Sequence, residues 1–254
     1  GPSADSYLRI DRIISAAEMT SSEAIHPGYG FLAENAHFAE VCLDCNIEFI
    51  GPSPEAMGRL GDKISCKRLA KQAGTPVFPG TDGEIEEIDV AIEVADEIGY
   101  PVIVKATAGG GGRGMRIAHN VDGLRLAVTS AQQEAIASFG NGAVYLEKFL
   151  EHARHVEVQV LGDKHGNAVH LFNRDCTSQR RHQKLIEEGP APGVTPEIRD
   201  TVCESAAELI RKAKYSGAAT VEFLMNEKEE FFMLEVNTRV QVEHPVTEVV
   251  TGID

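Results

Sequence analysis

The chain has 254 residues, of which 43% are apolar and 25% are charged. Its 24 Lys and Arg residues face 39 Asp and Glu residues, which gives a formal net charge of −15. This length allows one large domain or two smaller ones. The acidic balance disfavours nucleic-acid binding, which needs a basic surface, and no apolar run is long enough to cross a bilayer. The composition predicts a globular protein of the cytoplasm, with the mitochondrial matrix as the alternative.

The cysteines do not predict a metal site. There are five, and Cys42 and Cys45 are the only close pair. A zinc site would need a second pair or nearby histidines at ligand spacing, and the sequence shows neither. The odd, scattered set indicates a reducing compartment.

A parallel α/β unit is predicted for the first fifth of the chain, because strands there alternate with helices. The predicted elements are a helix at 6–18, a strand at 24–26, a helix at 32–45 and a strand at 47–50. Ser53 as N-cap and Pro54 at the first helical position then predict one or two helices over 54–73.

The next residues predict a small α+β lobe over 75–149. Its elements are a strand at 76–78, a helix at 86–98, strands at 102–105 and 115–117, a helix at 122–138 and a strand at 143–147. Longer alternating strands follow, which predict antiparallel hairpins. These elements are strands at 156–160 and 168–172, a helix at 196–214, and strands at 218–225 and 230–236.

A glycine-rich loop follows the predicted strand that ends at Lys105. The loop carries four consecutive glycines, which free the backbone N–H groups to approach phosphate oxygens. The lysine precedes the glycines, so the pattern is not a P-loop, and a plain flexible loop is the alternative. Lys63 near a helix start is unfavourable against the helix dipole unless an anion lies there, with a solvated lysine as the alternative.

Residues 174–184 are unusually basic for this acidic chain. They include Arg174, Arg180, Arg181, Lys184 and His182. Interleaved Ser and Gln side chains favour an anion site with hydrogen-bond donors, and a solvated basic run is the alternative.

Two glutamates are predicted to face each other on adjacent strands. A two-residue turn at 228–229 would place Glu222 opposite Glu235, and like charges at such positions destabilise a sheet. A divalent cation such as Mg²⁺ would compensate them, whereas a register slip would leave one carboxylate in solvent. Polar residues then continue at every second position to Glu243, which fits either a solvated strand face or a ligand site.

Taken in order, these segments resemble the biotin carboxylases of the ATP-grasp superfamily, and the resemblance covers essentially the whole chain. The matching segments are 26–35, 61–63, 105 with 109–114, 147–150, 154–159, 179–184 and 235–248. The resemblance implies an ATP-grasp fold of mixed α/β and α+β class. It comprises a partial N-terminal parallel α/β unit at 1–52, a helical linker at 53–74, a glycine-rich lid at 75–149 and a truncated antiparallel-sheet lobe at 150–254.

The resemblance also implies how ATP is bound. The phosphates are held by Lys63, Lys105 and the loop glycines Gly109, Gly110, Gly111 and Gly112. Adenine is read by the hinge, at Glu147, Lys148 and Leu150, and packs near Leu224. The nucleotide site is further lined by His155, Gln179 and His182.

The chemistry implied by the resemblance is carboxylation of biotin with bicarbonate through carboxyphosphate. Mg²⁺ or Mn²⁺ is held by Glu222, Glu235 and Asn237. Bicarbonate is held by Lys184, Arg239, Gln241 and Val242. Glu243 is the base that deprotonates bicarbonate, and Arg239 stabilises the biotin enolate. In this reading, residues 239–243 form a loop and a helix starts after Pro245.

The resemblance implies partners as well. These are a biotin carrier protein or domain, a carboxyltransferase and, in many family members, a second copy of the chain. Relative to the family, two strand–helix units before Gly1, an arginine-bearing lobe after Asp254 and the biotin-attachment signature are absent. We therefore expect a piece of a longer protein, with a non-catalytic nucleotide-binding fragment or another ATP-grasp ligase as alternatives.

Overall fold

The computed structural model describes residues 1–107, 115–181 and 183–254. The N-terminal unit is a short α/β layer in which the two strands pair in parallel, with Ala24 opposite Glu48. After a 3₁₀ turn at Ser3–Asp5, its elements are α1 (Ile10–Met19), β1 (Ala24–Ile25), α2 (Ala36–Asp44) and β2 (Glu48–Phe49). The parallel arrangement predicted from the sequence is confirmed.

Both N-terminal helices begin four residues later than predicted. Ser6 donates its side-chain hydroxyl to the Pro2 carbonyl, which keeps residues near 6 in the 3₁₀ turn. Asn35 accepts the Phe38 N–H at 2.8 Å and therefore caps α2. Capping side chains of this kind satisfy backbone donors that have no partner inside a helix.

The predicted helical linker is two helices, α3 (Pro54–Gly61) and α4 (Lys63–Ala73). Ser53 caps α3, as predicted. Asp62 has extended backbone angles and accepts the Ser65 N–H at 2.8 Å, so it ends one helix and caps the next. Lys63 is consequently the first residue of α4.

The following lobe packs two helices on a three-stranded antiparallel sheet with the order β4-β3-β5. Its elements are α5 (Ile88–Ile98), β3 (Val102–Ala106), β4 (Arg116–Ala118), α6 (Val121–Phe139) and β5 (Val144–Lys148). The core of the lobe consists of buried side chains from both helices and all three strands, such as Ala91, Val104 and Leu124.

The prediction of a strand at 76–78 is wrong. These residues make a single bridge, from Val77 to Met233 of the neighbouring lobe. Pro76 and Pro79 have no N–H, which prevents a longer ladder. Gly80 then runs against β5, where a Cβ atom would lie 2.0 Å from the Leu146 carbonyl oxygen.

The last lobe is built on five antiparallel strands in the order β10-β9-β6-β7-β8. The strands are β6 (Arg154–Gly162), β7 (Ala168–Arg180), β8 (Gln183–Glu188), β9 (Gly217–Met225) and β10 (Phe231–Asn237). Helix α7 (Pro196–Ala213) covers one face with a large apolar core, and α8 (His244–Thr251) follows β10. Strand β7 continues eight residues beyond the predicted end, so most of the basic run lies in a strand.

No helix among the described residues has the length and apolar character required to span a bilayer. The domain boundaries proposed at residues 52, 74 and 149 stay predictions.

Candidate active site

A cavity of about 760 Å³ lies between the three-stranded and the five-stranded sheet. Most of the site residues predicted from the sequence line it: Lys63, Lys105, Lys148, Leu150, His155, Gln179, Lys184, Glu222, Leu224, Glu235, Asn237, Arg239, Gln241, Val242 and Glu243. Glu147 is buried behind the wall and lines an adjoining cleft. The predicted residues Gly109, Gly110, Gly111, Gly112 and His182 lie outside the described residues.

One end of the cavity is rich in lysine. Lys105 comes from the end of β3, and Lys63 from the start of α4 donates to the Ala106 carbonyl at 3.4 Å. The pKa of Lys63 is lowered, first because burial disfavours its charge and also because Lys105 carries the same charge. The two positive charges repel each other, so this pair of lysines favours an anionic ligand between them.

Glu147 holds this end together through its side chain. Its two oxygens lie 2.7 Å from Lys105 Nζ and 3.1 Å from Lys67 Nζ. Burial alone would raise the pKa of Glu147, but the two lysines hold it below its ordinary value. Glu147 was predicted from the resemblance to contact adenine through its backbone. Its side-chain role with Lys67 was not foreseen.

The hinge after β5 forms the apolar part of the wall. Lys148, Phe149 and Leu150 line the cavity beside Leu224. The Lys148 ammonium donates to the Gly99 and Tyr100 carbonyls, which ties the hinge to the residues before β3. A largely apolar wall of this kind is suited to a planar heterocycle.

The predicted pairing of Glu222 with Glu235 is confirmed, although the predicted turn is wrong. The loop has three residues, 227–229, and Glu229 adopts a positive φ of 58°. Near this loop the register is one residue away from the predicted one, with Met225 opposite Phe231. A β-bulge between Met233 and Glu235 restores the predicted register, because a bulge adds one residue to one strand.

The two paired carboxylates have different surroundings. Glu222 is buried, yet its pKa lies below its ordinary value, because the nearby His155 and Lys184 outweigh the desolvation. Glu235 faces the cavity, and its pKa is raised by desolvation and by the like charge of Glu222. Among the described residues, Glu235 has no hydrogen-bond or ion-pair partner. An oxygen ligand of this kind beside a second carboxylate fits Mg²⁺ or Mn²⁺.

Asn237, the third predicted metal ligand, already has partners on both sides. Its Nδ2 donates to Glu222 Oε1 at 2.8 Å, and its Oδ1 accepts from Arg239 Nη2 at 3.1 Å. In this arrangement it orients Glu222 and Arg239.

The other end of the cavity is rich in carboxylates. Lys184 contacts Glu157, Glu222 at 2.9 Å and Glu243 at 2.5 Å. Burial would lower the pKa of Lys184, but the three carboxylates raise it above its ordinary value. His155, Glu157, Cys176, Glu222 and Glu243 form two overlapping sets of potential metal ligands here. Lys184 contacts the three glutamates of these sets, so its ammonium is the cation among them.

The segment after β10 is a loop, as predicted. Arg239 donates through Nε to Glu34 Oε2 at 2.9 Å, and Gln241 Nε2 donates to Glu222 Oε1 at 3.2 Å. Helix α8 begins at His244, two residues earlier than the predicted start after Pro245. Proline is tolerated in a first helical turn because its missing N–H would have no partner there.

The described cations of the basic run do not lie together at one place. Arg180 and Arg181 are exposed at the turn between β7 and β8, while Lys184 and Gln179 face the cavity. Gln179 Nε2 lies 3.1 Å from His155 Nδ1. Arg174 is 1% exposed and serves a different purpose, below the site.

Arg174 and Glu157 form a buried support that the sequence did not reveal. Arg174 Nε donates to Glu157 Oε1 at 2.8 Å, and its Nη1 donates to Thr247 Oγ1 of α8 at 2.6 Å. Its Nη2 reaches Gln241 Oε1 at 3.4 Å. Glu157 contacts Lys184 in turn, so one guanidinium on β7 positions groups on β6, β8, the loop and α8.

A clamp of two sheets around a cavity, with lysines on one side and paired carboxylates on the other, is the arrangement of ATP-grasp proteins. Comparison with known families agrees. Residues 62–254 match the family described as carbamoyl-phosphate synthase L chain, ATP binding domain. Residues 1–57 match biotin carboxylase, N-terminal domain. The chain belongs to the biotin carboxylase family.

Individual relatives support this assignment. Biotin carboxylase 1 of Bacillus subtilis is 51% identical over all of this chain and 57% of its own length. The crystal structure of a Campylobacter jejuni biotin carboxylase–β,γ-ATP complex superposes with a TM-score of 0.96, at 50% identity, over 100% of this chain and 57% of that one.

A further relative is described with several ligands. It is the biotin carboxylase domain dimer of Hydrogenobacter thermophilus 2-oxoglutarate carboxylase, with MgADP, ADP and bicarbonate. It superposes with a TM-score of 0.92, at 48% identity, over 98% of this chain and 55% of that chain. The chain thus spans little more than half the length of these relatives.

Proposed function

We propose that the chain carries the ATP- and bicarbonate-binding core of an enzyme that carboxylates biotin. The observation that carries this proposal is the charge distribution of one cavity. Lys63 and Lys105 lie at one end, and Lys184 contacts the Glu243 carboxylate at the other. This distribution suits a polyphosphate and a small acid that must lose a proton.

In the proposed reaction, Lys63 and Lys105 bind the nucleotide phosphates, and the hinge at Lys148–Leu150 with Leu224 holds the adenine. Glu222 and Glu235 would hold Mg²⁺ or Mn²⁺, which neutralises charge on the phosphates when bound. Asn237 keeps Glu222 oriented toward the site. Most of the rate enhancement then comes from positioning and charge neutralisation.

Bicarbonate is proposed to bind between Lys184, Arg239, Gln241 and the backbone of Val242. Glu243 takes its proton, and the resulting oxyanion attacks the γ-phosphorus while ADP leaves. Carboxyphosphate then breaks into CO₂ and phosphate. The phosphate removes the proton of the biotin ureido nitrogen, Arg239 stabilises the resulting anion, and that nitrogen attacks CO₂.

The partners are also a proposal. One relative is a domain of a 2-oxoglutarate carboxylase and is described as a dimer. We extend this to a biotin carrier, a carboxyltransferase and a homodimer for this chain.

The test is a substrate-dependence assay on the purified protein. ADP release with MgATP should require bicarbonate, and free biotin should stimulate it. MgATP binding without ADP release would instead support a nucleotide-binding fragment. ADP release that requires an amine or ammonia would support another ligase of this superfamily.

A further inference from the structure

Lys67 is a buried lysine that faces away from the proposed nucleotide site. It is the fifth residue of α4, and it is 8% exposed. Among the described residues, it is absent from the wall of the main cavity and present in the adjoining cleft of about 400 Å³. A ligand in the main cavity is therefore influenced by Lys67 only through another side chain.

That side chain is Glu147, which Lys67 shares with Lys105. Glu147 Oε1 lies 3.1 Å from Lys67 Nζ, and Oε2 lies 2.7 Å from Lys105 Nζ. The three charged groups come from three elements, since Lys67 is on α4, Lys105 is on β3 and Glu147 is on β5. Lys105 is the only one of the three among the described residues that line the main cavity.

The sharing controls how firmly Glu147 holds Lys105. With Lys67 on one oxygen, the carboxylate offers Lys105 the other oxygen alone. Without Lys67, both oxygens and the whole negative charge of Glu147 would turn to the Lys105 ammonium. Because a charge-assisted hydrogen bond is strong when buried, the ammonium would then be withdrawn from an incoming phosphate.

We propose that Lys67 is a positioning residue for nucleotide binding: by occupying Oε1 of Glu147, it leaves the Lys105 ammonium free to contact phosphate. The proposal rests on the proposed function only in taking a nucleoside triphosphate as the ligand.

The experiment measures the Kd of MgATP by calorimetry for the wild type and Lys67→Met. We expect the variant to bind about tenfold more weakly, which is the effect of one charge-assisted hydrogen bond. The KM for bicarbonate should stay within about twofold. Lys71→Met is the matched control, since Lys71 lies one turn further along α4 and pairs with the exposed Asp82. It should bind MgATP like the wild type.

Two further variants separate positioning from a structural role. Lys67→Arg keeps the charge and should restore most of the affinity. In a Glu147→Gln background, Lys67→Met should change the Kd by less than about twofold, because the route through Glu147 is gone. Thermal unfolding of each variant verifies folding, and Lys67→Gln replaces Lys67→Met if the latter does not fold.

Wild-type affinity in a folded Lys67→Met protein would overturn the proposal. An unchanged effect of Lys67→Met in the Glu147→Gln background would also overturn it. The Kd needs no turnover, so a protein that binds MgATP but consumes no bicarbonate would defeat the proposed function and leave this test valid.

Discussion

The two ends of the cavity differ in their ratio of ammonium groups to carboxylates. At the lysine end, two ammonium groups, Lys67 and Lys105, share the single carboxylate of Glu147. At the carboxylate end, the single ammonium of Lys184 is shared by Glu157, Glu222 and Glu243. Both arrangements leave charge uncompensated, but the signs differ.

The difference indicates what each end binds. Two ammonium groups against the one carboxylate of Glu147 leave a formal surplus of one positive charge, which attracts phosphates. Lys184 and Arg174 against three glutamates leave one negative charge, which keeps Lys184 protonated and maintains a carboxylate as a proton acceptor. Burial of charges is costly unless they are paired, so the positive surplus at the lysine end favours an anionic ligand such as a polyphosphate.

The largest expected effect concerns the carboxylate end. Glu243→Gln should lower kcat for bicarbonate-dependent ATP cleavage at least about 10²-fold, because it removes the proposed base. The Kd of MgATP should change less than about twofold, because the nucleotide is proposed to bind at the other end. Steady-state ADP release and calorimetry measure the two quantities.

The matched control is Glu248→Gln, which alters another glutamate of the same segment; among the described residues, Glu248 pairs only with His244. It should leave turnover unchanged. Near-normal turnover of Glu243→Gln would remove Glu243 as the base.

A smaller effect is expected between the two ends, at Glu235. Glu235→Gln should weaken binding of the metal–nucleotide complex about tenfold, because it removes a proposed carboxylate ligand of the metal. The ligand-free variant should nevertheless be more stable, with Tm raised by about 2 °C. The reason is that the substitution removes repulsion from Glu222 at a position where water screens part of it. Thermal scans with and without MgATP measure both changes.

The stabilisation should depend on pH in a defined direction. The pKa of Glu235 is raised in the folded protein, so ionisation costs stability as the pH rises from the ordinary carboxyl value of 4.5. The Tm advantage of Glu235→Gln should therefore be present at pH 7 and disappear at about pH 4. An advantage that grows at low pH would contradict the assigned direction of the shift.

The smallest effect is expected in the support below Lys184. Thr247→Val removes one acceptor of the Arg174 guanidinium and loosens α8 behind Glu243. The KM for bicarbonate should rise about threefold, since a single neutral acceptor is lost and Gln159 remains at 3.0 Å. Thr251→Val is the control on the same helix, because its hydroxyl bonds to the Thr247 carbonyl instead. Equal effects of the two variants would refute the role of Arg174.

The sequence predicts the facing glutamates for a partly wrong reason. A two-residue turn would pair Glu222 with Glu235 directly, whereas the actual loop is one residue longer and the bulge before Glu235 compensates. Bulges depend on the packing of both strands, so the sequence between the turn and Glu235 does not predict one. The pairing of Glu222 with Glu235 could therefore be predicted from the sequence, but the loop length and the bulge that produce it could not.

The supporting residues were beyond prediction because their contacts are long-range. Glu157 lies in a strand whose alternating sequence predicts one buried and one exposed face. In the structure α8 and its preceding loop cover the second face, and Glu157 is fully buried. Lys67 and Glu147 are 80 residues apart in sequence. Helix periodicity gives neither contact, because one depends on how α4 packs against the three-stranded sheet and the other on how α8 and its loop pack against the five-stranded sheet.

The most direct test of the division between the two ends is a crossed measurement on Lys105→Gln and Lys184→Gln. For each variant, the Kd of MgATP and the KM of bicarbonate are determined together. We expect Lys105→Gln to raise mainly the Kd of MgATP, and Lys184→Gln to raise mainly the KM of bicarbonate, each about tenfold or more. If both variants weaken the same substrate equally, the two ends do not bind separate substrates, and the account is wrong.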